Sequence, residues 1–363
     1  MKYVTLYPEI SNIELVKDVG QIPYNLHQFY NFDTEIVANN IDEKGSNIEY
    51  VKGVKLTKLS CNNLKKYSLF WAEVKYLFNN AKQIDWLNLY HCGRKSLILA
   101  KLFKLLNPQG KVHLKLDLDF RGCNLYDQNL KERKIFQKNM LLMDLVTAES
   151  ESVRDRIQTY TSKKIHVLSD GFIPLSRKQI IQKNIFLTAG RIGVEQKATD
   201  ILLRAFANSA KEHNWKLELI GNIDVKFIPF LKKFLKNNPN LEDRIIFKKS
   251  INDREQLYSE YAGAKVFVLD SRWESFGLVL PEALAQGCSI IASDKVPIAK
   301  EITNNKKFGK IVKADDVVAL SHAMTAMTKE TYTEDKIKNK IDFAIKNYSW
   351  KRICGKLNNY LRG

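Results

Sequence analysis

At 363 residues, 45% hydrophobic and 27% charged, the chain has room for two domains and the composition of an ordinary soluble globular protein. Its net charge of +18 is uneven: residues 1–50 hold 3 Lys/Arg against 8 Asp/Glu, and residues 51–140 hold 18 against 6. Such a basic block suits nucleic acid, an anionic membrane surface or phosphorylated substrates, and equally a plain lysine-rich solvated face. Five cysteines (Cys61, Cys92, Cys123, Cys288, Cys354) without a C-x-x-C pair argue for a reducing compartment, and against a disulfide framework or a zinc site. The start MKYVTLYPEI has no basic n-region or apolar h-region, and no apolar run nears the ~20 residues that span a bilayer. The expected location is cytoplasmic.

Strand-like and helix-like segments alternate along the whole chain. KYVTLY, TEIVAN, DWLNLY, KVHLKLDLDF and KIHVL come first, then NIFLTAG, LELIG, RIIFKKS, KVFVLD and CSIIAS. Helical patterns lie between them, as at 95–106, 198–212 and 226–237. This alternation is the signature of parallel sheets with crossover helices, and the strands are too many for one doubly wound sheet. Two Rossmann-like α/β domains are expected, meeting near SDGFIPLSRK (169–178), where Gly, Pro and polar residues cluster. A cleft between two such domains is a preferred place for ligands.

Four stretches carry candidate chemistry. Residues 52–78 mix Lys52, Lys55, Lys58, Lys65, Lys66 and Lys75 with Phe70, Trp71, Tyr76 and Phe78, a pattern suited to peripheral docking on anionic lipid. KVHLKLDLDF puts His113, Asp117 and Asp119 on one strand face, and its D-x-D could in principle chelate a metal. That three-residue pattern is weak, and no metal is expected. IFLTAGRIGVEQKATDILLRAF (185–206) runs a strand into a loop with Arg191 and Lys197, then into a helix with Asp200. Two cations beside a strand end and a helix N-terminus make an anion site without metal. In WESFGLVLPEALAQG (273–287), Glu274 falls in a strand-to-helix loop and Glu282 in the first helical turn, with Pro281 suiting the start of the helix and Gly287 its stop. Taken singly, Arg191 and Lys197 would be surface charges, and Glu282 would only favour the helix dipole by ~0.3–1 kcal/mol. The ordered set argues for more.

Residues 265–294, with their E-x7-E, resemble the donor-binding signature of retaining GT-B glycosyltransferases of the glycosyltransferase-4 type. AGRIGVEQKATDILLRAF is similar to that family's G-R-x(n)-K-G-x-D-x-L-x-x-A-F stretch, and 144–174 to its interdomain segment. VKDVGQIPYNLHQF (16–29) resembles, more faintly, its N-terminal glycine loop and following helix. The resemblance implies a GT-B fold: an acceptor domain over about 1–170, a nucleotide-sugar domain over about 171–343, and a C-terminal helix (344–363) packing back on the first. It implies that Glu274 accepts hydrogen bonds from the donor sugar, that backbone N–H groups of Phe276, Gly277 and Leu278 face sugar and diphosphate, and that Glu282 holds the ribose hydroxyls. Arg191 and Lys197 would neutralise the departing diphosphate, and Gly20 would line the donor site.

Three positions depart from the family pattern. Asp117 stands about where a His is usual, and would orient the acceptor hydroxyl. Ala198 replaces the glycine after the second cation, and Gln21 the second glycine of the N-terminal pair. The expected function is retaining transfer from a nucleotide sugar, UDP favoured, to a lipid-linked or other glycan of cell-envelope polysaccharide, with no cofactor. The basic block at 51–140 would meet the inner face of the plasma membrane. A protein or soluble acceptor is the alternative. A sugar phosphorylase or binding-only homologue would keep the same donor site. Nucleic-acid binding is the remote reading, since no helix-turn-helix, zinc spacing or RNP pattern is present.

Overall fold

The computed structural model describes residues 1–60, 68–175 and 180–363. Cys61, Lys65 and Lys66 of the basic stretch, and 176–178 of the expected boundary, lie outside the described residues. The chain divides into two compact units, Met1–Phe172 with Tyr348–Gly363, and Ile173–Asn347.

Unit one is built on seven parallel strands: β1 (Lys2–Leu6), β2 (Asp33–Ala38), β3 (Lys55–Lys58), β4 (Trp86–Tyr90), β5 (Lys111–Lys115), β6 (Leu145–Ala148) and β7 (His166–Val167). Their order is β3-β2-β1-β4-β5-β6-β7. Strands buried on both faces need continuous apolar runs, which is why WLNLY and LVTA read as they do and are buried throughout. The chain winds outward from β1 to β3, then crosses to β4 on the other side of β1. The carboxyl ends of β1 and β4 therefore flank the topological switch point, where open α/β sheets hold ligands.

The helix Trp350–Arg362 belongs to this unit. Trp350, Ile353, Cys354, Leu357 and Leu361 form one apolar stripe at helical spacing, and all are buried. The helix packs on Asp18–Tyr30, where the Tyr30 hydroxyl donates to the Lys351 carbonyl at 2.9 Å and Arg362 donates to the Tyr30 carbonyl at 3.0 Å.

Unit two repeats the plan with β8 (Lys183–Ala189), β9 (Lys216–Ile220), β10 (Ile245–Lys248), β11 (Ala264–Leu269), β12 (Ser289–Ser293) and β13 (Gly309–Val312), in the order β10-β9-β8-β11-β12-β13. Here the switch point lies between β8 and β11.

Several expectations need correction. KVHLKLDLDF is a strand only to Lys115. Asp117 takes a left-handed backbone, φ +46°, and Asp119 caps the helix Phe120–Gln128, its carboxylate accepting from the Gly122 N–H at 2.6 Å. Asp119 also pairs with Arg121 at 2.8 Å, so D-x-D is not a strand-borne pair. Gly20 sits inside the helix Asp18–Tyr30 rather than in a loop. A Cβ there would lie 2.1 Å from the Leu15 carbonyl oxygen, so the glycine lets two backbone segments meet. The edge strand β3, KLTK, escaped notice because its lysines face water.

A buried charge cluster closes the carboxyl end of the first sheet. Lys115, fully buried on β5, lies 2.8 Å from Asp170, 3.0 Å from Glu149 and 3.1 Å from Asp18. Burial alone would push the ammonium down. The three carboxylates outweigh it and hold Lys115 well above its usual range, while burial raises Glu149 and Asp170. Glu149 also accepts from the Asp117 N–H at 2.9 Å, which fixes the turn beyond β5. Lys115→Met would leave buried Glu149 and Asp170 and half-buried Asp18 without their cation, and is expected to destabilise the protein by about 3–5 kcal/mol. Chemical denaturation measures this; a loss below about 1 kcal/mol would mean the cluster is hydrated rather than sealed.

Candidate functional site

β8 ends at Ala189, and the chain turns through Gly190, Arg191 and Gly193 into the single turn Glu195–Lys197, then the helix Thr199–Ser209. Ala198 adopts φ +48° between them, a conformation that favours glycine and costs a β-carbon roughly 1–2 kcal/mol. Ala198 therefore takes a backbone conformation that glycine would adopt without strain. Across the switch point, β11 runs out through Asp270 and Ser271 to Glu274, then to the helix Val279–Ala285. Gly277 has φ +98°, and a Cβ there would crowd Leu269 and Val296 at 3.2 Å. Glu282 lies in the first helical turn, as the sequence indicates.

These two loops are tied together by side chains. Lys197 Nζ lies 2.5 Å from Glu274 Oε1, which also accepts from Ser271 Oγ at 2.7 Å. Gln196 donates to the Trp273 carbonyl at 3.0 Å and reaches Glu274 Oε2 at 3.5 Å, while its own carbonyl accepts from Arg191 at 2.7 Å. Arg191, Lys197 and Glu274 thus form one network with Gln196 as its hinge. Arg272 braces the loop from outside, bonded to Asp315 at 2.6 Å, Asp200 at 3.2 Å and the Glu195 carbonyl at 2.7 Å.

Glu282 has different partners. It is buried, with Arg254 donating to Oε1 at 2.7 Å and the Tyr261 hydroxyl approaching Oε2 at 3.5 Å. Burial pushes its carboxyl upward, against the pull of Arg254. Phe276 and Gly277 are buried, and Leu278, half-buried, precedes the helix.

Unit one holds a second candidate site at its own switch point. A cavity of about 220 Å³ is lined by Tyr7 and Glu9 beyond β1, Tyr90 and His91 beyond β4, and Glu73 and Lys95. Tyr7 stacks on Tyr90 with centroids 5.0 Å apart, and its hydroxyl bonds His91 Nε2 at 3.0 Å. Burial, then the charge of Asp117, raises the Tyr7 hydroxyl to about 12. Glu73 is buried, is pushed up to about 7 by desolvation, and pairs with Lys95 at 2.9 Å. His91 and Asp117, at the ends of adjacent strands, both have left-handed backbones, φ +58° and +46°. Strain of this kind gathers at functional sites. His113 is inside the sheet, bonded to Tyr3 at 2.8 Å and Thr147 at 2.9 Å, and burial lowers it to about 3.

Sequence reasoning missed Gln196, Ser271, Arg254, Tyr7, His91 and Lys95. Gln196 and Ser271 adjoin the recognised residues and could have been included on spacing. Arg254 lies far upstream of Glu282 in sequence, and only the fold brings it there.

Residues 175–343 match the family model for glycosyl transferases group 1. The chain is 30% identical over 132 residues to the lipopolysaccharide core biosynthesis mannosyltransferase LpcC of Rhizobium leguminosarum bv. viciae, covering 36% of this chain and 36% of that protein. It is 24% identical over 185 residues to a Campylobacter jejuni N-acetylgalactosamine-N,N'-diacetylbacillosaminyl-diphospho-undecaprenol 4-alpha-N-acetylgalactosaminyltransferase, covering 50% of this chain and 48% of that one. The chain thus spans a third to a half of these relatives' length. The structure of Anabaena HepE in complex with UDP and glucose aligns with TM-score 0.70 at 16% identity, over 100% of both chains. The fold is GT-B, as the sequence indicates.

Arg254→Leu leaves Glu282 buried without its cation, and is expected to cost about 3 kcal/mol at pH 8. The carboxyl already titrates above its unfolded value, and loss of the guanidinium raises it further. A raised acid keeps stability on the acid side and loses it as pH climbs through the folded value, so the deficit should shrink at pH 5. Equal deficits at both pH values in urea titrations would mean that Arg254 acts by packing alone.

Proposed function

We propose that this chain, whose second unit belongs to the glycosyl transferases group 1 family, transfers a sugar from a nucleotide diphosphate sugar to an acceptor hydroxyl. The observation that carries this reading is the Arg191–Gln196–Glu274–Lys197 network at the β8/β11 switch point, inside the segment that matches the family. Lys197 and Arg191 would neutralise the diphosphate, and on donor binding Lys197 would exchange part of its contact with Glu274 for phosphate oxygens. Glu274 would then take sugar hydroxyls. Glu282, oriented by Arg254, would accept from the ribose hydroxyls. The backbone of Phe276, Gly277 and Leu278 would approach sugar and diphosphate. UDP is favoured, supported by the UDP bound in the HepE relative.

Retention is proposed to proceed by front-face substitution. The acceptor hydroxyl oxygen bonds the anomeric carbon while the bond from that carbon to the diphosphate oxygen breaks. The hydroxyl proton passes to the leaving oxygen, so no protein nucleophile and no metal is needed. The cavity of unit one would take the acceptor, its stacked Tyr7 and Tyr90 offering ring faces to a sugar and Asp117 orienting the hydroxyl.

The named activities of the two relatives support a glycan or lipid-linked acceptor in envelope polysaccharide assembly. No helix among the described residues is long and apolar enough to cross a membrane. The neighbouring helices Ser68–Asn80 and Arg94–Leu106 instead expose two apolar stripes with lysines between, Trp71–Lys75–Phe78 and Ile98–Lys101–Leu105. We read this face as a peripheral contact with the anionic inner leaflet of the plasma membrane.

Thermal shift with a panel of nucleotide sugars should pick out one donor that stabilises the protein and is slowly hydrolysed. Arg191→Ala and Glu282→Ala should each weaken it about tenfold or more, the loss of one charge-assisted contact. Stabilisation of the wild type by no nucleotide sugar would refute the donor site. Cosedimentation with phosphatidylglycerol vesicles should be strong at low salt, weak at high salt, and lost in Trp71→Ser/Phe78→Ser; salt-independent or absent pelleting would remove the membrane reading.

A further inference from the structure

Asp270 follows β11 directly, at the switch point of the second sheet. It is only 3% exposed, and among the described residues neither carboxyl oxygen has a hydrogen-bond partner. Buried polar side chains are nearly always bonded, so each exception asks for a reason. Packing does not supply one, because a residue without charge would fill the same space at less cost. The guanidinium nearest in sequence, Arg272, is committed to Asp315, Asp200 and the Glu195 carbonyl.

The same residue lines a small cavity with Thr188, Gly190, Arg191, Lys197 and Thr199. Its volume of about 10 Å³ is the space of one water-sized group. An unpaired buried acid and the two cations of the proposed phosphate loop therefore share one pocket, sized for a single oxygen.

We propose that Asp270 is a donor-contacting residue, a neutral carboxylic acid that donates its proton in a hydrogen bond to one oxygen of the donor diphosphate, lodged beside Arg191 and Lys197. This rests on the donor-site reading above. The protonation state agrees with the surroundings. Burial, then the charges of Asp315, Asp200 and Asp294 on the neighbouring loops, push the carboxyl up to about 8, with Arg272 opposing. Arg191 and Lys197 on the β8 loop, and Glu274 on its own loop, complete the charged groups about it. A neutral acid adds a donor without adding a second anion to a diphosphate. The bond strengthens as the leaving oxygen gains charge, which is the condition for catalysis rather than mere binding. Above its titration the same group becomes an anion facing an anion, and donor affinity must fall.

The test is calorimetric titration of the full-length protein with UDP, GDP and inorganic pyrophosphate from pH 7 to pH 9. The wild-type dissociation constant should rise about tenfold over that range, following one proton titrating near 8. In Asp270→Asn, which keeps an N–H donor and cannot ionise, the slope should disappear, with less than about a twofold change. Asp270→Leu should bind at least about tenfold more weakly at pH 7 while melting no lower than the wild type, because the unpartnered acid itself costs stability. A wild-type slope that persists in Asp270→Asn, or full affinity in Asp270→Leu, overturns this role even if Arg191→Ala abolishes binding. Absence of binding by all three probes to the folded wild type overturns the donor site itself, and this inference with it.

Discussion

The second unit depends on one ion pair, Lys197 to Glu274, closed across the point where the sheet reverses its winding. Helices after β8 and β11 leave the sheet toward opposite sides, so the loops before them must part, and something must hold the gap at fixed width. Lys197 and Gln196 reach across it to Glu274 and the Trp273 carbonyl, and Arg272 reaches back to the Glu195 carbonyl. The gap is therefore framed by charge rather than filled by apolar packing. The frame is held by one ion pair and by hydrogen bonds that run between the two loops.

Unit one solves the same problem with the opposite balance. At its sheet end a single lysine is enclosed by Asp18, Glu149 and Asp170, an excess of acid that burial makes costly unless the acids share protons. Glu149 converts that excess into backbone order by accepting from the N–H groups of Asp117 and Leu118. The left-handed turn at Asp117 is held in place by this bond, and the neighbouring left-handed turn at His91 by Tyr7. Local strain and buried charge are two parts of one construction.

How much of this was legible in the sequence follows from distance along the chain. The Glu274–Glu282 segment and the Arg191–Lys197 loop could be read because each is contiguous and its spacing is set by one loop and one helix turn. Two parallel sheets could be read from alternating apolar runs. Arg254 could not, since nothing local marks it as the partner of Glu282. The alternation in KVHLKLDLDF continues through Leu116 and Leu118 past the end of the strand at Lys115, and pattern alone cannot register that Glu149, on the next strand's loop, bends the chain there. The faint resemblance of 16–29 to the family's glycine loop puts Gly20 in a loop, and the structure puts it in a helix. Its actual service, letting a helix start press on the Leu15 carbonyl, is a tertiary fact.

The net charge of +18 invites a reading in which the whole molecule attracts anions, and the placement of charge argues for a division instead. Among the described lysines of unit one, Lys75, Lys95 and Lys101 are exposed on the two helices that carry Trp71, Phe78, Ile98 and Leu105. The sheet end of that unit is acidic, with Lys115 outnumbered by the carboxylates about it. Field from the outer lysines is screened over roughly 8–10 Å at physiological salt, while the buried acids act at short range in a poorly hydrated interior. Long-range attraction and the chemistry of the cavity are thus set by different residues. The basic surface and this cavity are therefore separate features: the stacked Tyr7 and Tyr90 line the cavity together with buried Glu73 and its partner Lys95.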